Sequence, residues 1–196
     1  MTDARLLGLE GLVARVETLA AATGRPIVVG ISGVGGAGKS TLARALVDRV
    51  DGAVRMCGDD FLSPARSHER STDWDGVERE RLVRDVLVPF RERRASTFQR
   101  WDWHAGALAA PEPVPTGSVL VVDLIGLLHP EALGALDLTV WCDVDVAVAT
   151  ERGIARDRAA GNDHDALWRD VWVPNDADFV ARFAPRDGAD VLVATG

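Results

Sequence analysis

Short apolar runs alternate with longer amphipathic stretches along this chain. Pro26-Ile27-Val28-Val29-Gly30-Ile31-Ser32, Val54-Arg55-Met56-Cys57, Val119-Leu120-Val121-Val122, Leu138-Thr139-Val140-Trp141-Cys142 and Ala189-Asp190-Val191-Leu192-Val193 are mostly continuous in hydrophobicity. Such runs predict strands buried on both faces of a parallel sheet. Between them the apolar positions recur at helical spacing. Leu6, Leu9, Leu12, Val13, Val16, Leu19 and Ala20 make one stripe from Asp3 to Ala22, which Gly24 and Pro26 end. Leu42, Ala45, Leu46 and Val50 make a second, and Leu82, Val83, Val86, Leu87 and Phe90 a third, between Val77 and Arg94. A further helix is predicted from Asp145 to Ala160. Pro89 is expected to kink or end its helix, and Pro174-Asn175 to separate two helical pieces, 165–173 and 176–183. Strands alternating with helices predict an α/β fold, and 196 residues suit one domain.

One junction between strand and helix carries a specific chemistry. Gly33-Val34-Gly35-Gly36-Ala37-Gly38-Lys39-Ser40 fits G-x-x-x-x-G-K-[ST] at every fixed position, with a strand before it and a helix after it. Glycines let successive backbone N–H groups turn inward, and the helix start adds unpaired N–H groups with the positive dipole end. This is a phosphate cradle. Lys39 is placed to reach the β- and γ-phosphates, Ser40 to give its hydroxyl to Mg²⁺, and Thr41 to add an α-phosphate contact. The nucleotide expected on it is ATP with Mg²⁺. The alternative is a glycine turn that only happens to precede a lysine.

The other candidates follow from where strands end, since chemistry in open α/β sheets lies beyond their carboxyl ends. Asp59, after the strand 54–57, is placed to orient or deprotonate a hydroxyl facing the γ-phosphate, or else to cap a turn. Asp60 is either a carboxylate behind it or solvent-facing. Asp123, after the strand 119–122, is placed to support Mg²⁺, or is a structural cap. Arg152 and Arg156 lie four apart on one helix face, suited to neutralising a phosphoryl group in transfer; the plainer reading is a solvated surface. Trp101, Asp102, Trp103 and His104 form either a substrate wall or ordinary packing.

Composition narrows the partners. Thirty acidic against 22 basic residues give a net charge of −8, which argues against a broad nucleic-acid footprint. No run is long enough to span a membrane, the N-terminal stretch does not read as a signal peptide, and Cys57 and Cys142 read as buried thiols in a reducing compartment. A cytoplasmic protein that works as a monomer or homodimer on a small molecule is expected.

Taken together, residues 26 to 194 resemble the uridine kinase and phosphoribulokinase group of P-loop kinases, in a compact bacterial form. The resemblance rests on the cradle Gly33–Ser40, on Asp59-Asp60-Phe61-Leu62, on Trp101-Asp102-Trp103, on the strand ending at Asp123 and on Arg152 through Asp157. It implies a three-layer α/β/α fold of the nucleoside-monophosphate-kinase type, with five parallel strands in the order 2-3-1-4-5. It divides the chain into an N-terminal helix (1–24), an acceptor-side insertion (60–110) and a short lid (152–165). It implies Asp59 as the catalytic base, Phe61 as its aromatic neighbour, Asp102 as a substrate-binding carboxylate, and Arg152 and Arg156 as phosphate contacts with Lys39. Trp101 and His104 join the acceptor-binding set. Departures from the family pattern are Leu62 and Trp101 in place of tyrosines, and Leu124 in place of a glycine.

Three functions follow: an ATP-dependent kinase acting on a hydroxyl of a small metabolite, such as a nucleoside like uridine; a nucleotide kinase whose Arg55, Arg66 or Arg100 grips an acceptor phosphate; or a nucleotide-dependent regulatory protein with little turnover. No Asn/Thr-Lys-x-Asp guanine signature is present, which disfavours a GTPase.

Overall fold

A computed structural model of the chain describes residues 5–102 and 105–196. Six strands form one sheet: β1 (Leu6–Leu7), β2 (Ile27–Ser32), β3 (Ala53–Cys57), β4 (Val119–Asp123), β5 (Leu138–Asp143) and β6 (Val191–Ala194). All neighbours run parallel, in the order β1-β6-β5-β2-β4-β3. The sheet therefore has six strands where five were expected. The added strand is β1, which lies within the stretch read as an N-terminal helix. Gly8 is extended (φ −80°, ψ 175°), so the helix α1 starts only at Leu9 and runs to Thr23. Leu6 and Leu7 instead pair with Leu192 and Val193 and cover a sheet edge.

Alternation along the strands feeds two cores. Ile27, Val29 and Ile31 with Val119, Val121 and Val140 face α1 and the helix α2 (Lys39–Val47). Val28, Leu120 and Val122 face the opposite way, towards the helix α3 (79–91), Met56 and Phe179. With both faces covered, continuous apolar strands are what the sheet requires.

The prolines do not break their helices. Arg79–Leu82, Val83–Leu87 and Val88–Arg91 run on as α3 (79–91). Asp165–Leu167, Trp168–Trp172 and Val173–Phe183 likewise form one helix, designated α6 (165–183) below, which corrects the expected division at Pro174-Asn175. In each case one wide turn precedes the proline: the N–H of Val88 reaches back to Val83, and that of Val173 to Trp168, five residues each. A wider turn moves the i−4 carbonyl away from the proline ring, and the missing N–H then falls at a place where the ladder has already slipped. The remaining helices are α4 (Pro130–Leu133), α5 (Val146–Ala159) and α7 (Pro185–Gly188). Asp145 caps α5 by accepting from the N–H groups of Ala147 and Val148. Two small antiparallel ribbons, Thr97–Phe98 with Glu112–Pro113 and Trp101–Asp102 with Ala107–Leu108, lie outside the sheet. Among the described residues no helix is long and apolar enough to cross a membrane.

Candidate active site

Because the strands are parallel, the loops after β2, β3, β4, β5 and β6 all emerge at one end. A cleft of about 1260 Å³ opens there. Residues 35–42 form its floor. Gly36 and Gly38 take left-handed conformations (φ +76° and +88°), and a Cβ on Gly36 would stand 1.9 Å from the Ala149 carbonyl oxygen. No other residue type fits that turn. The N–H groups of Lys39 and Ser40 open α2 and have no intrahelical acceptor. Lys39 Nζ donates to the carbonyls of Gly33 (3.0 Å) and Val34 (2.8 Å), so its ammonium lies along the loop.

Asp59 lies in a tight turn, Gly58–Phe61, that follows β3. Gly58 makes this position possible: a Cβ there would meet Leu124 Cβ at 2.3 Å and the Asp123 carbonyl at 2.5 Å. The turn thus packs straight onto the end of β4, and both Asp59 and Asp123 line the cleft. Desolvation pushes the Asp59 carboxyl above the usual carboxylate range, helped by the charge of Asp123 and opposed by Lys39, Arg156 and Arg55. Those opposing charges identify the groups that converge on it. Asp123 itself is buried and receives both Nε and Nη2 of Arg55, at 2.7 and 2.8 Å.

Arg152 and Arg156 are exposed, and both line the cleft from α5. Arg152 donates to the Thr195 carbonyl at 2.5 Å; Arg156 donates to Asp157 at 2.8 and 3.0 Å. The segment after β6, 193–196, closes the same end of the cleft beside the cradle.

Mg²⁺ is normally held by one or two protein groups together with substrate phosphates, so a large carboxylate cluster is not needed. Among the described residues no group of three or more metal-ligating side chains occurs. A serine hydroxyl at the first turn of α2 fits that mode; Asp123 at the end of β4 also lines the cleft, and since both its oxygens accept from Arg55 it would serve a metal through its remaining lone pairs or a bridging water.

The far wall of the cleft comes from residues that no motif marks. Ser67, His68 and Trp74 reach it from the loop 63–76, and His164, Trp168 and Trp172 from the start of α6 and the turn before it. The His164 and Trp172 rings meet edge to face (5.3 Å between centroids), as do Trp168 and Trp172 (5.2 Å), and His68 lies 5.9 Å from Trp172. Asp157 holds one end of this wall. It accepts from Trp168 Nε1 at 2.9 Å and lies 3.2 Å from His164 Nδ1. Burial works against its ionisation, but hydrogen bonds from Trp168, Arg156 and His164 outweigh burial and leave its carboxyl below the usual range. Burial, with His164 alongside, lowers the pKa of His68, which keeps that imidazole neutral near pH 7.

The loop 63–76 is fastened rather than free. Asn175 accepts from Ser71 N–H (2.9 Å) and donates to the Glu69 carbonyl (2.9 Å), and Trp172 Nε1 donates to the Ser67 carbonyl (2.9 Å). The buried Arg79 donates to the carbonyls of Gly126 (2.7 Å) and Trp74 (3.1 Å). Asp176 is also buried. One of its oxygens accepts from Gly35 N–H of the cradle at 2.7 Å, and the other from Trp74 Nε1 at 3.1 Å.

Several residues singled out from the sequence lie elsewhere. Phe61 is wholly buried, stacked on Phe98 at 5.9 Å with the Arg81 guanidinium over its ring. Trp101 lines a separate cavity of about 320 Å³ with Leu62, Pro64, Glu78 and Leu108. Asp102 accepts from Ala105 N–H in its own ribbon. Trp103 and His104 lie outside the described residues. The three arginines considered for an acceptor phosphate have carboxylate partners: Arg55 with Asp123, Arg66 with Glu78 at 3.7 Å, and Arg100 with Glu112. Both thiols are shielded; burial pushes Cys57 up to about 11 and Cys142 up to about 12.

Solved structures share the fold. A Silicibacter protein titled a candidate fructose transport system kinase superposes with a TM-score of 0.77 at 20% identity, over 95% of this chain and 98% of its own. A possible uridine kinase from Bacillus stearothermophilus gives 0.67 at 15%, over 93% and 99%. The mixed α/β fold with a parallel sheet core is shared with these two proteins. In sequence, uridine-cytidine kinase C of Dictyostelium discoideum is 28% identical over 150 residues, covering 74% of this chain. The chain spans about a third of that relative's length, 33%. No protein-family model matches the chain. The resemblance to uridine/cytidine-kinase-like P-loop kinases is therefore distant, and it converges from sequence and from fold.

Proposed function

We propose that this chain is an ATP-dependent phosphotransferase that moves the γ-phosphoryl of Mg·ATP to a hydroxyl of a small, uncharged metabolite of the nucleoside or sugar kind. The observation that carries the reading is the meeting of Asp59, Lys39 and Arg156 in one cleft between a phosphate cradle and an aromatic–imidazole wall. The kinase names of the similar proteins agree with it.

In this reading the cradle amides and Lys39 hold the phosphates, and Arg152 and Arg156 spread the charge that develops on the transferring group. Ser40 and Asp123 would hold Mg²⁺, which would supply neutralisation of phosphate charge. Asp59 accepts the proton of the acceptor hydroxyl as that oxygen bonds to the γ-phosphorus and the bond to the ADP oxygen breaks. A carboxylate with a raised pKa suits a base that must take a proton near neutral pH. The wall of His68, His164 and Trp172 offers aromatic faces and imidazole hydrogen-bonding groups to the acceptor. A nucleotide kinase needs cations for an acceptor phosphate, and Arg55, Arg66 and Arg100 are already matched with carboxylates.

The test is ADP production with Mg·ATP against a panel of nucleosides, nucleotides, sugars, glycerate and pantothenate. One uncharged acceptor should raise turnover well above the background ATPase, and Lys39→Ala and Asp59→Asn should both remove that rise. A flat panel alongside tight ATP binding would turn the reading towards a regulatory nucleotide-binding protein. A response to nucleotides only would turn it towards a nucleotide kinase.

A further inference from the structure

Asp176 stands apart from every motif, and its carboxylate hydrogen-bonds to both halves of the cleft. Its Oδ2 accepts from Gly35 N–H (2.7 Å) in the phosphate loop, and its Oδ1 accepts from the indole N–H of Trp74 (3.1 Å) in the far wall. Its neighbour Asn175 fastens the same wall loop through Ser71 and Glu69. Both donors are N–H groups, so both oxygens act as acceptors, and the ionised carboxylate does this best because neither oxygen carries a proton and the bonds are charge-assisted. An asparagine would turn a donor towards a donor on one side, and a protonated acid would leave its hydroxyl oxygen a weaker, neutral acceptor. Trp168, from the same helix, also packs over Gly35, where a Cβ would come within 2.8 Å of its ring.

We propose that Asp176 is a positioning residue for the phosphate loop: its ionised carboxylate fixes the Gly35 turn and ties that turn to the acceptor wall through Trp74. The cradle's outer turn is then set by α6 as well as by its own glycines. Occupation of the acceptor wall, by moving Trp74, acts on the loop that holds the nucleotide. The charged group facing Asp176 is Lys39; burial raises the Asp176 pKa to about 6, against the lowering effects of Gly35 N–H, Lys39 and Trp74. The charge-assisted form of both bonds is therefore held above about pH 6 and is weakened below it. This inference rests on the reading of the loop as a nucleotide site, but not on the identity of the acceptor.

The experiment measures Mg·ADP binding by calorimetry from pH 8 to pH 5 for the full chain, Asp176→Asn and Trp74→Phe. At pH 8 Asp176→Asn should bind about tenfold more weakly than wild type, a loss typical of a buried hydrogen bond to a charged group. The ratio of the two affinities should fall towards one as the wild-type carboxyl takes up its proton near pH 6. A role in folding alone would leave that ratio independent of pH. Trp74→Phe keeps the ring and the carboxylate but removes the donor, so it should weaken binding about threefold at pH 8 and move the transition to higher pH. An Asp176→Asn protein that binds as well as or better than wild type at pH 8, or whose deficit does not change with pH, would overturn the positioning role. A Trp74→Phe protein indistinguishable from wild type in both readouts would overturn the link to the acceptor wall. A wild type that does not bind Mg·ADP would remove the nucleotide reading and this inference together, and so is distinguishable from either.

Discussion

The floor and the far wall of the cleft are built in opposite ways. The floor is eight successive residues, 35–42, three of the first four of them glycines, which on the proposed reading bind through the backbone. The wall gathers Ser67, His68 and Trp74 from one loop and His164, Trp168 and Trp172 from a helix about a hundred residues further on. A backbone site must be contiguous in sequence, because neighbouring amides have to converge on one anion. A side-chain site needs only that the fold bring its members together. The floor is therefore specific in motif, whereas the wall is unmarked in sequence and, on the proposed reading, is where the acceptor is chosen.

This contrast breaks most sharply at the floor. Lys39→Ala should cost about a thousandfold in kcat/KM and weaken Mg·ADP binding, because a preorganised cation on the transferring phosphoryl is lost; steady-state kinetics and calorimetry check this. Asp59→Asn separates chemistry from binding. Turnover should fall about 10²- to 10⁴-fold, the usual range for general-base catalysis, while Mg·ADP affinity stays within about twofold of wild type, since Asp59 belongs to the acceptor hydroxyl. The wall should respond in the opposite sense. His164→Ala should raise the acceptor KM about tenfold, in the range of an edge-on aromatic contact, and leave Mg·ADP binding alone; a nucleotide-affinity change would place His164 on the donor side.

Glycine substitutions sharpen the difference in packing. Gly36→Ala meets a carbonyl at 1.9 Å in a left-handed turn, and Gly153→Ala meets the Trp168 ring at 2.2 Å. Each should destabilise the fold by about 1–3 kcal/mol, the usual overpacking cost, read as a lowered thermal midpoint. Gly134→Ala has open space around it and should be nearly neutral. The smallest effect is in pH. Burial lowers His68 and His129 below their ordinary 6.5, so the unfolded chain takes protons that the folded one refuses. Their contribution is present above about pH 6.5 and is lost as pH falls below it. His68→Asn should show less of the acid loss of thermal midpoint while matching wild type at pH 8.

Legibility in the sequence follows the same division. Strand runs such as Val119–Val122 announced a sheet covered on both faces, and the cradle announced itself completely. Asp59 and Asp123 were legible because strand ends in a parallel sheet all point to one edge. What failed was non-local. Leu6 and Leu7 fit a helical stripe as well as a strand, and only the edge at Leu192–Val193 decided between them. Phe61 reads as a site residue by its place beside Asp59, yet its ring belongs to the core with Phe98. Pro89 and Pro174 signal breaks locally, but packing of α3 and α6 against the sheet kept each helix whole through one wide turn.

The sequence by itself determined the phosphate loop, the strands that flank it and the carboxylates at the strand ends, because each depends on residues close together in the chain. Only the tertiary structure decided the wall and Asp176. The carboxylate's two donors lie 102 and 141 residues away, and no local pattern can encode a contact whose partners the fold must first deliver.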